Sequence, residues 1–130
     1  MKLSEVTPNK IDYINAHGSS TYINDIVESA AIKKVFGEHS YNIPISGTKS
    51  MTGHAIGASG GLEAIATALA IQYSIVPPTA NLDNPDIENG CDLDYVPNNK
   101  RTKTINYALL NSFGFGGINS SIVLKKYDEK

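Results

Sequence analysis

Apolar and polar positions recur with two different periods along the chain, and each change of period marks an element. Ile11-Asp12-Tyr13-Ile14-Asn15-Ala16 is rich in β-branched and aromatic residues and closes at Gly18, which predicts a strand. Asn24-Asp25 then opens a helix. Ile23, Ile26, Val27, Ala30, Ala31 and Val35 follow at steps of three and four and form its expected buried face. Glu28 is expected to favour the positive end of the helix dipole, and Gly37 to stop the helix. Ile43-Pro44-Ile45-Ser46 predicts a short strand. The glycine-rich run from Gly53 to Gly61 leads into a second helix. Its stripe is Leu62, Ile65, Ala66, Leu69, Ala70 and Tyr73, and Pro77-Pro78 ends it. Tyr107 to Ser112 predicts a buried strand and Ser120 to Leu124 another, joined by Phe113-Gly114-Phe115-Gly116-Gly117. Between the second helix and Tyr107, prolines and asparagines predict a long connection within one domain.

The succession of strand, helix, strand and helix implies parallel crossovers, and the last two strands form an expected hairpin. The expected class is therefore α/β: a mixed, mostly parallel sheet with flanking helices. A chain of 130 residues fits one domain. With 41% hydrophobic and 18% charged residues and no biased tract, disorder, collagen-like and coiled-coil architectures are excluded for the whole chain. A net charge of -2 argues against non-specific nucleic-acid binding. The single cysteine, Cys91, leaves no internal disulfide framework or cysteine-rich zinc site. No apolar leader is seen after Met1, and the apolar run from Gly61 to Val76 carries Glu63 and falls short of the ~20 residues of a membrane span. A cytoplasmic protein with no membrane partner is expected, a plastid location staying open.

Chemistry in α/β sheets gathers beyond the carboxyl ends of strands. Three polar clusters are expected there: Asn15 to Thr21, Thr48 to His54, and Asn111 to Gly117. Taken singly, each has an ordinary reading. A loop histidine such as His17 or His54 is commonly a surface group, Lys49 a solvated cation, Glu63 a helix-dipole partner, and Phe113 and Phe115 core aromatics. His39, just past a helix end, reads as surface structure. The glycines do not complete GxGxxG and no GxxxxGK[ST] occurs, so a nucleotide site is not expected. No two histidines stand four apart on a helix, so metal-ligand spacing is poor.

Together the clusters are far more specific. Asn15-Ala16-His17-Gly18-Ser19-Ser20-Thr21, Thr48-Lys49-Ser50-Met51-Thr52-Gly53-His54 and Asn111-Ser112-Phe113-Gly114-Phe115-Gly116-Gly117 resemble, in order and spacing, the C-terminal signature of the β-ketoacyl-[acyl-carrier-protein] synthases, the elongating type II condensing enzymes above all. Ile75 to Leu82 and Cys91 to Pro97 extend the similarity, which runs from about Pro8 to Tyr127. It implies a thiolase-like layered fold in which residues 1–130 form the C-terminal half, with the N-terminal, cysteine-bearing half outside the chain. Cys91 does not match the nucleophile's motif.

The resemblance implies an acyltransferase that condenses malonyl-ACP with an acyl thioester by decarboxylative Claisen chemistry, inactive without the other half. His17 and His54 match the family histidines that stabilise the enolate. Lys49 matches the lysine that orients His54 or attracts the malonyl carboxylate, and Glu63 the glutamate paired with it. Ser19 and Thr21 match hydroxyls on the pantetheine arm. Phe115 matches the gating phenylalanine, with Phe113, Gly114 and Gly116 beside it at the substrate. In some members Asn15, Glu63 and Asn111 lie near a monovalent cation. The implied partners are a carrier protein with its phosphopantetheine, malonyl and acyl thioesters, the N-terminal half, and a second copy in a homodimer; no organic cofactor is implied. Departures from the family pattern are Ser19 for threonine, Gly47 for serine, and Leu110 for a small serine. Alternatives are a non-catalytic thiolase-fold module that binds or dimerises, and a polyketide ketosynthase fragment.

Overall fold

The computed structural model describes residues 2–128. Its strands are β1 (Tyr13–Asn15), β2 (Ile45–Ser46), β3 (Ile75–Val76), β4 (Arg101–Thr102), β5 (Tyr107–Phe113) and β6 (Asn119–Lys125). Its helices are α1 (Asn24–Phe36), α2 (Lys49–Thr52) and α3 (Ser59–Tyr73), with several short 3-10 turns. The main sheet has the order β2-β1-β5-β6. β1 is parallel to both neighbours, Ile14 lying opposite Ile45 on one side and Leu109 on the other. β5 and β6 form the expected antiparallel hairpin, from Tyr107 opposite Lys125 to Phe113 opposite Asn119. β3 and β4 pair apart from this sheet, and the long connection between them also carries a parallel bridge from Thr79 to Pro97.

Side-chain alternation sorts the strands between two layers. Ile14 and Ala16 of the first strand segment, with Ile45 and Leu109, pack on Ile32 and Phe36 of α1. Tyr13 and Ala108 point the other way and pack with Ala70 and Ile71 of α3. The sheet is thus covered on both faces, which is why Tyr13-Ile14 of β1 and Ala108-Leu109-Leu110 of β5 are consecutive apolar residues.

The helices lie where the periodicity predicts but are turned over. α1 buries Glu28, Ser29, Ile32 and Phe36, while Ile23, Val27, Ala30, Ala31 and Val35 face outward. α3 buries Ser59, Glu63, Thr67, Ala70 and Ile71, while Leu62, Ile65, Leu69 and Tyr73 face outward. Of the expected stripes only Ala70 is fully buried. A hydrophobic period locates a face without saying what covers it, and within this chain the sheet takes the other face of each helix. Glu28 is likewise corrected: it serves as a buried hydrogen-bond acceptor for the loop that follows β1. α3 ends at Ser74, in the left-handed region at φ 55°, one turn ahead of Pro77.

Candidate functional site

β1 places His17 two residues past its carboxyl end, β2 leads through Thr48 into α2 and His54, and β5 ends at Phe113. The three expected clusters converge. The His17 and His54 rings lie edge to face, 5.7 Å between centroids and 83° between planes. Phe113 tilts against His17 at 5.3 Å. The first two loops meet at Gly18 and Gly47. Gly18 has φ +47°, and a Cβ on it would stand 3.0 Å from the Gly47 Cα, so only glycine allows this crossing.

Hydrogen bonds fix which nitrogen of each ring carries the proton. The Phe113 N–H donates to His17 Nδ1 at 3.2 Å, and the Lys49 ammonium lies 3.4 Å from the same atom. Nδ1 is therefore an acceptor, and the proton of the neutral ring sits on Nε2. In His54, the Ile56 N–H donates to Nδ1 at 3.1 Å and Ser59 Oγ lies 3.0 Å away, which gives the same tautomer. Ile56 holds φ 50°, an unfavourable angle for a β-branched residue, in the turn that brings its N–H back to that ring. The His17 pKa is lowered from 6.5 to about 4, first by burial, then by the Lys49 cation and by His54. The ring is neutral at pH 7.

Behind the rings, Lys49 forms a buried ion pair with Glu63 and donates to the His17 carbonyl at 2.5 Å. The expected partnership with Glu63 is present. The ring that Lys49 reaches is that of His17, whereas the hydrogen bonds of His54 run to Ile56 and Ser59. Asn15 Nδ2 donates to the Glu63 carbonyl and to Thr67 Oγ1, and Thr48 donates to Asn15 Oδ1. Burial above all pushes the neighbouring Tyr13 hydroxyl above its ordinary pKa.

The residues suggested for a monovalent cation are partly committed. Asn111 Nδ2 donates to Glu28 and its Oδ1 accepts from Ser121. Glu63 Oε2 is the buried side-chain polar atom left without a partner among the described residues. It is the acceptor a hard cation would take. No cluster of three His, Cys, Asp or Glu suited to a metal occurs among the described residues.

A cavity of about 580 Å³ opens in front of Lys49 and His54 and is bordered by Ser19, Thr21, Thr79 and Tyr95. Ser19 Oγ and Thr21 Oγ1 stand 3.2 Å apart on its exposed rim. Phe115 is 99% exposed on the turn between β5 and β6, where Gly116 and Gly117 take positive φ and the Gly114 N–H closes the turn onto the Ile118 carbonyl. Phe115, Gly114 and Gly116 border neither ring contact nor cavity in this arrangement. Sequence reasoning did not single out Ser59, Thr67 or the role of Glu28. Their signal was a four-residue spacing of polar side chains, 59-63-67, and the alignment of Glu28 with Ile32 and Phe36.

Residues 1–83 match the family model described as Beta-ketoacyl synthase, C-terminal domain, and the chain belongs to this family. It is 56% identical over 127 residues to the 3-oxoacyl-[acyl-carrier-protein] synthase 2 of Synechocystis, covering 98% of this chain and 30% of that protein. It is 52% identical over 121 residues to a putative polyketide beta-ketoacyl synthase 1 of Streptomyces virginiae, covering 93% and 28% respectively. Among solved structures, a type II polyketide ketosynthase in complex with its acyl-carrier protein superposes with a TM-score of 0.93 at 48% identity, covering 98% of this chain and 31% of that one. A beta-ketoacyl synthase from Burkholderia phymatum gives 0.91 at 37% identity, with 98% and 30% covered. The expected thiolase-like ketosynthase fold is borne out. The chain spans about three-tenths of the length of these relatives. No described helix is long and apolar enough to cross a membrane.

Proposed function

We propose that this chain supplies the enolate-stabilising part of a 3-oxoacyl-[acyl-carrier-protein] synthase in fatty acid elongation. The observation that carries the reading is the pair of neutral imidazoles, from loops 37 residues apart in sequence, brought to 5.7 Å with both protons on Nε2. Two N–H donors sharing one oxygen at about 2.9 Å each need their nitrogens within about 5.8 Å of one another, and rings with centroids 5.7 Å apart are close enough for their Nε2 atoms to turn to one common acceptor.

That acceptor is the malonyl thioester oxygen. The bond from the malonyl α-carbon to its carboxylate breaks, carbon dioxide leaves, and the electron pair moves onto the enolate oxygen. His17 and His54 donate to it there. The enolate carbon then attacks an acyl thioester held on a cysteine of the N-terminal part, and the cysteine sulfur departs as thiolate. Lys49 and Glu63 keep His17 placed and neutral. Ser19 and Thr21 offer hydroxyls to a pantetheine arm entering the cavity. Phe115, with Phe113, Gly114 and Gly116, forms a gate whose glycines allow it to move. A monovalent cation, if held, would sit on Glu63 Oε2 with Asn15 and Asn111 nearby and supply charge balance only. The carrier protein is the partner that delivers malonyl, the N-terminal half completes the acyl site, and a second copy completes a homodimer, with the protein working in the cytoplasm.

Removing one preorganised donor of this kind typically costs 10²–10³ in rate. His17→Ala and His54→Ala, each assayed with the N-terminal part present, are expected to lower malonyl-ACP decarboxylation by about that factor. Unchanged decarboxylation in both would overturn the reading and favour a binding module. The likeness to polyketide synthases supports a second reading with the same residues, separated by product analysis on carrier-bound substrates.

A further inference from the structure

Glu28 lies on α1, outside the pair of imidazoles, yet four N–H groups converge on its carboxylate. Oε1 accepts from the His17 backbone N–H at 2.9 Å and from Asn111 Nδ2 at 3.1 Å. Oε2 accepts from the Gly18 N–H at 3.0 Å and from Asn24 Nδ2 at 3.4 Å. The residue is 4% exposed, and among the described residues no lysine or arginine forms an ion pair with it. A buried carboxylate without a lysine or arginine beside it is costly unless other groups such as N–H donors surround it, and these donors do so.

The donors' origins matter more than their number. Two belong to the loop after β1. A third, Asn111, stands on β5 two residues before Phe113, whose N–H caps His17 Nδ1. The carboxylate therefore grips both sides of that capping bond. The His17 peptide is also held at each end by a buried charged group, its N–H by Glu28 and its carbonyl by Lys49.

We propose that Glu28 is a positioning residue for His17: by tying the His17-Gly18 backbone to Asn111, it holds the loop after β1 against the end of β5, so that the Phe113 N–H faces Nδ1 and the ring proton stays on Nε2. Its importance to catalysis rests on the proposed role of His17 as an enolate donor, but the positioning itself is readable without catalysis. A glutamine has one acceptor oxygen in place of two, and its amide group would oppose two of the four incoming N–H groups.

The test is Glu28→Gln in the chain labelled with ¹⁵N-histidine, where only His17, His39 and His54 report. Long-range ¹⁵N–¹H spectra are expected to show His17 of the unsubstituted protein as the pure Nε2–H tautomer. In Glu28→Gln, His17 alone is expected to become a tautomer mixture while His54 keeps its signals. With the N-terminal part present, kcat for decarboxylation should fall about tenfold with KM nearly unchanged, as expected when a transition-state donor is misplaced. If Glu28→Gln does not fold, Asn111→Ala removes one donor from the opposite side and is expected to mix the His17 tautomers in the same way. An unchanged His17 spectrum in whichever variant folds overturns the proposal, as does an equal change at all three histidines, which would mean general loosening. A His17-specific change with decarboxylation indifferent to His17→Ala would uphold the positioning and sink the enolate reading instead.

Discussion

The Lys49 and Glu63 side chains are 5% and 2% exposed, and each neutralises a charge that water cannot reach. Breaking such a pair from one side typically costs about 3–5 kcal/mol, whereas exchanging both partners for apolar groups is often neutral. Lys49→Met is therefore expected to lower the urea midpoint sharply, and Lys49→Met with Glu63→Leu much less; equal losses in the two variants would contradict a buried ion pair. His17 makes a separate contribution. Its imidazole holds a proton only below about 4 in the folded chain and below about 6.5 when unfolded. Between those values the unfolded state binds more protons, so stability falls as the pH drops from about 6.5 to about 4 and levels off below. Urea midpoints at pH 7 and pH 5 should show this loss, and it should shrink in His17→Gln. A His17→Gln protein as acid-sensitive as the unsubstituted one would assign the loss to other groups.

At the level of elements, the crossing of the loops after β1 and β2 sets a second asymmetry. Gly18→Ala forces a side chain at φ +47° into the Gly47 backbone, whereas a Cβ on Gly47 meets its nearest neighbours at 3.6 Å or more, ordinary contact. Gly47→Ser should keep the thermal midpoint, and Gly18→Ala should lower it; the opposite order would show that the loops do not cross as described. The converging loops were legible because motifs such as Asn15-Ala16-His17 and Gly53-His54 sit where strands predict a carboxyl end. The strands themselves were legible from Ile14, Ile45 and the run from Tyr107 to Ser112. The helix faces were misread for a physical reason. Periodicity treats Leu62, Ile65 and Leu69 as core because they are apolar, and Ser59, Glu63 and Thr67 as solvated because they are polar. Here the polar row turns inward to build the site and the apolar row is left to the outside. β3–β4 and α2 are two to four residues long and set by tertiary contacts, so no local pattern announced them.

Over the whole molecule, the outward rows of α1 and α3, with Phe115, Ile118 and Ile122, stand exposed, and apolar residues left in such rows mark a face that another surface covers. Relatives about three times as long share this fold, and the N-terminal part is the proposed cover. The isolated chain is expected to self-associate in light scattering, and replacing Leu62, Ile65 and Leu69 by glutamine should shift it towards monomer. A monodisperse monomer at high concentration before any substitution would argue against that cover. It is also expected to give no condensation product alone, since Cys91 is buried against Ser29 and Tyr95 outside the pair of imidazoles.

The placement of β5 beside β1 has a consequence for how the chain is made. Ile14 and Leu109 are partners across the sheet although 95 residues separate them, and Asp12 caps the Asn106 and Tyr107 N–H groups at the same seam. Contacts so distant in sequence form late and slowly. On a ribosome, β1 would emerge about ninety residues ahead of β5 and wait with one bare edge while they were translated. Until the closing hairpin is released, that edge offers itself to any passing strand, which makes the nascent chain a natural client for chaperones.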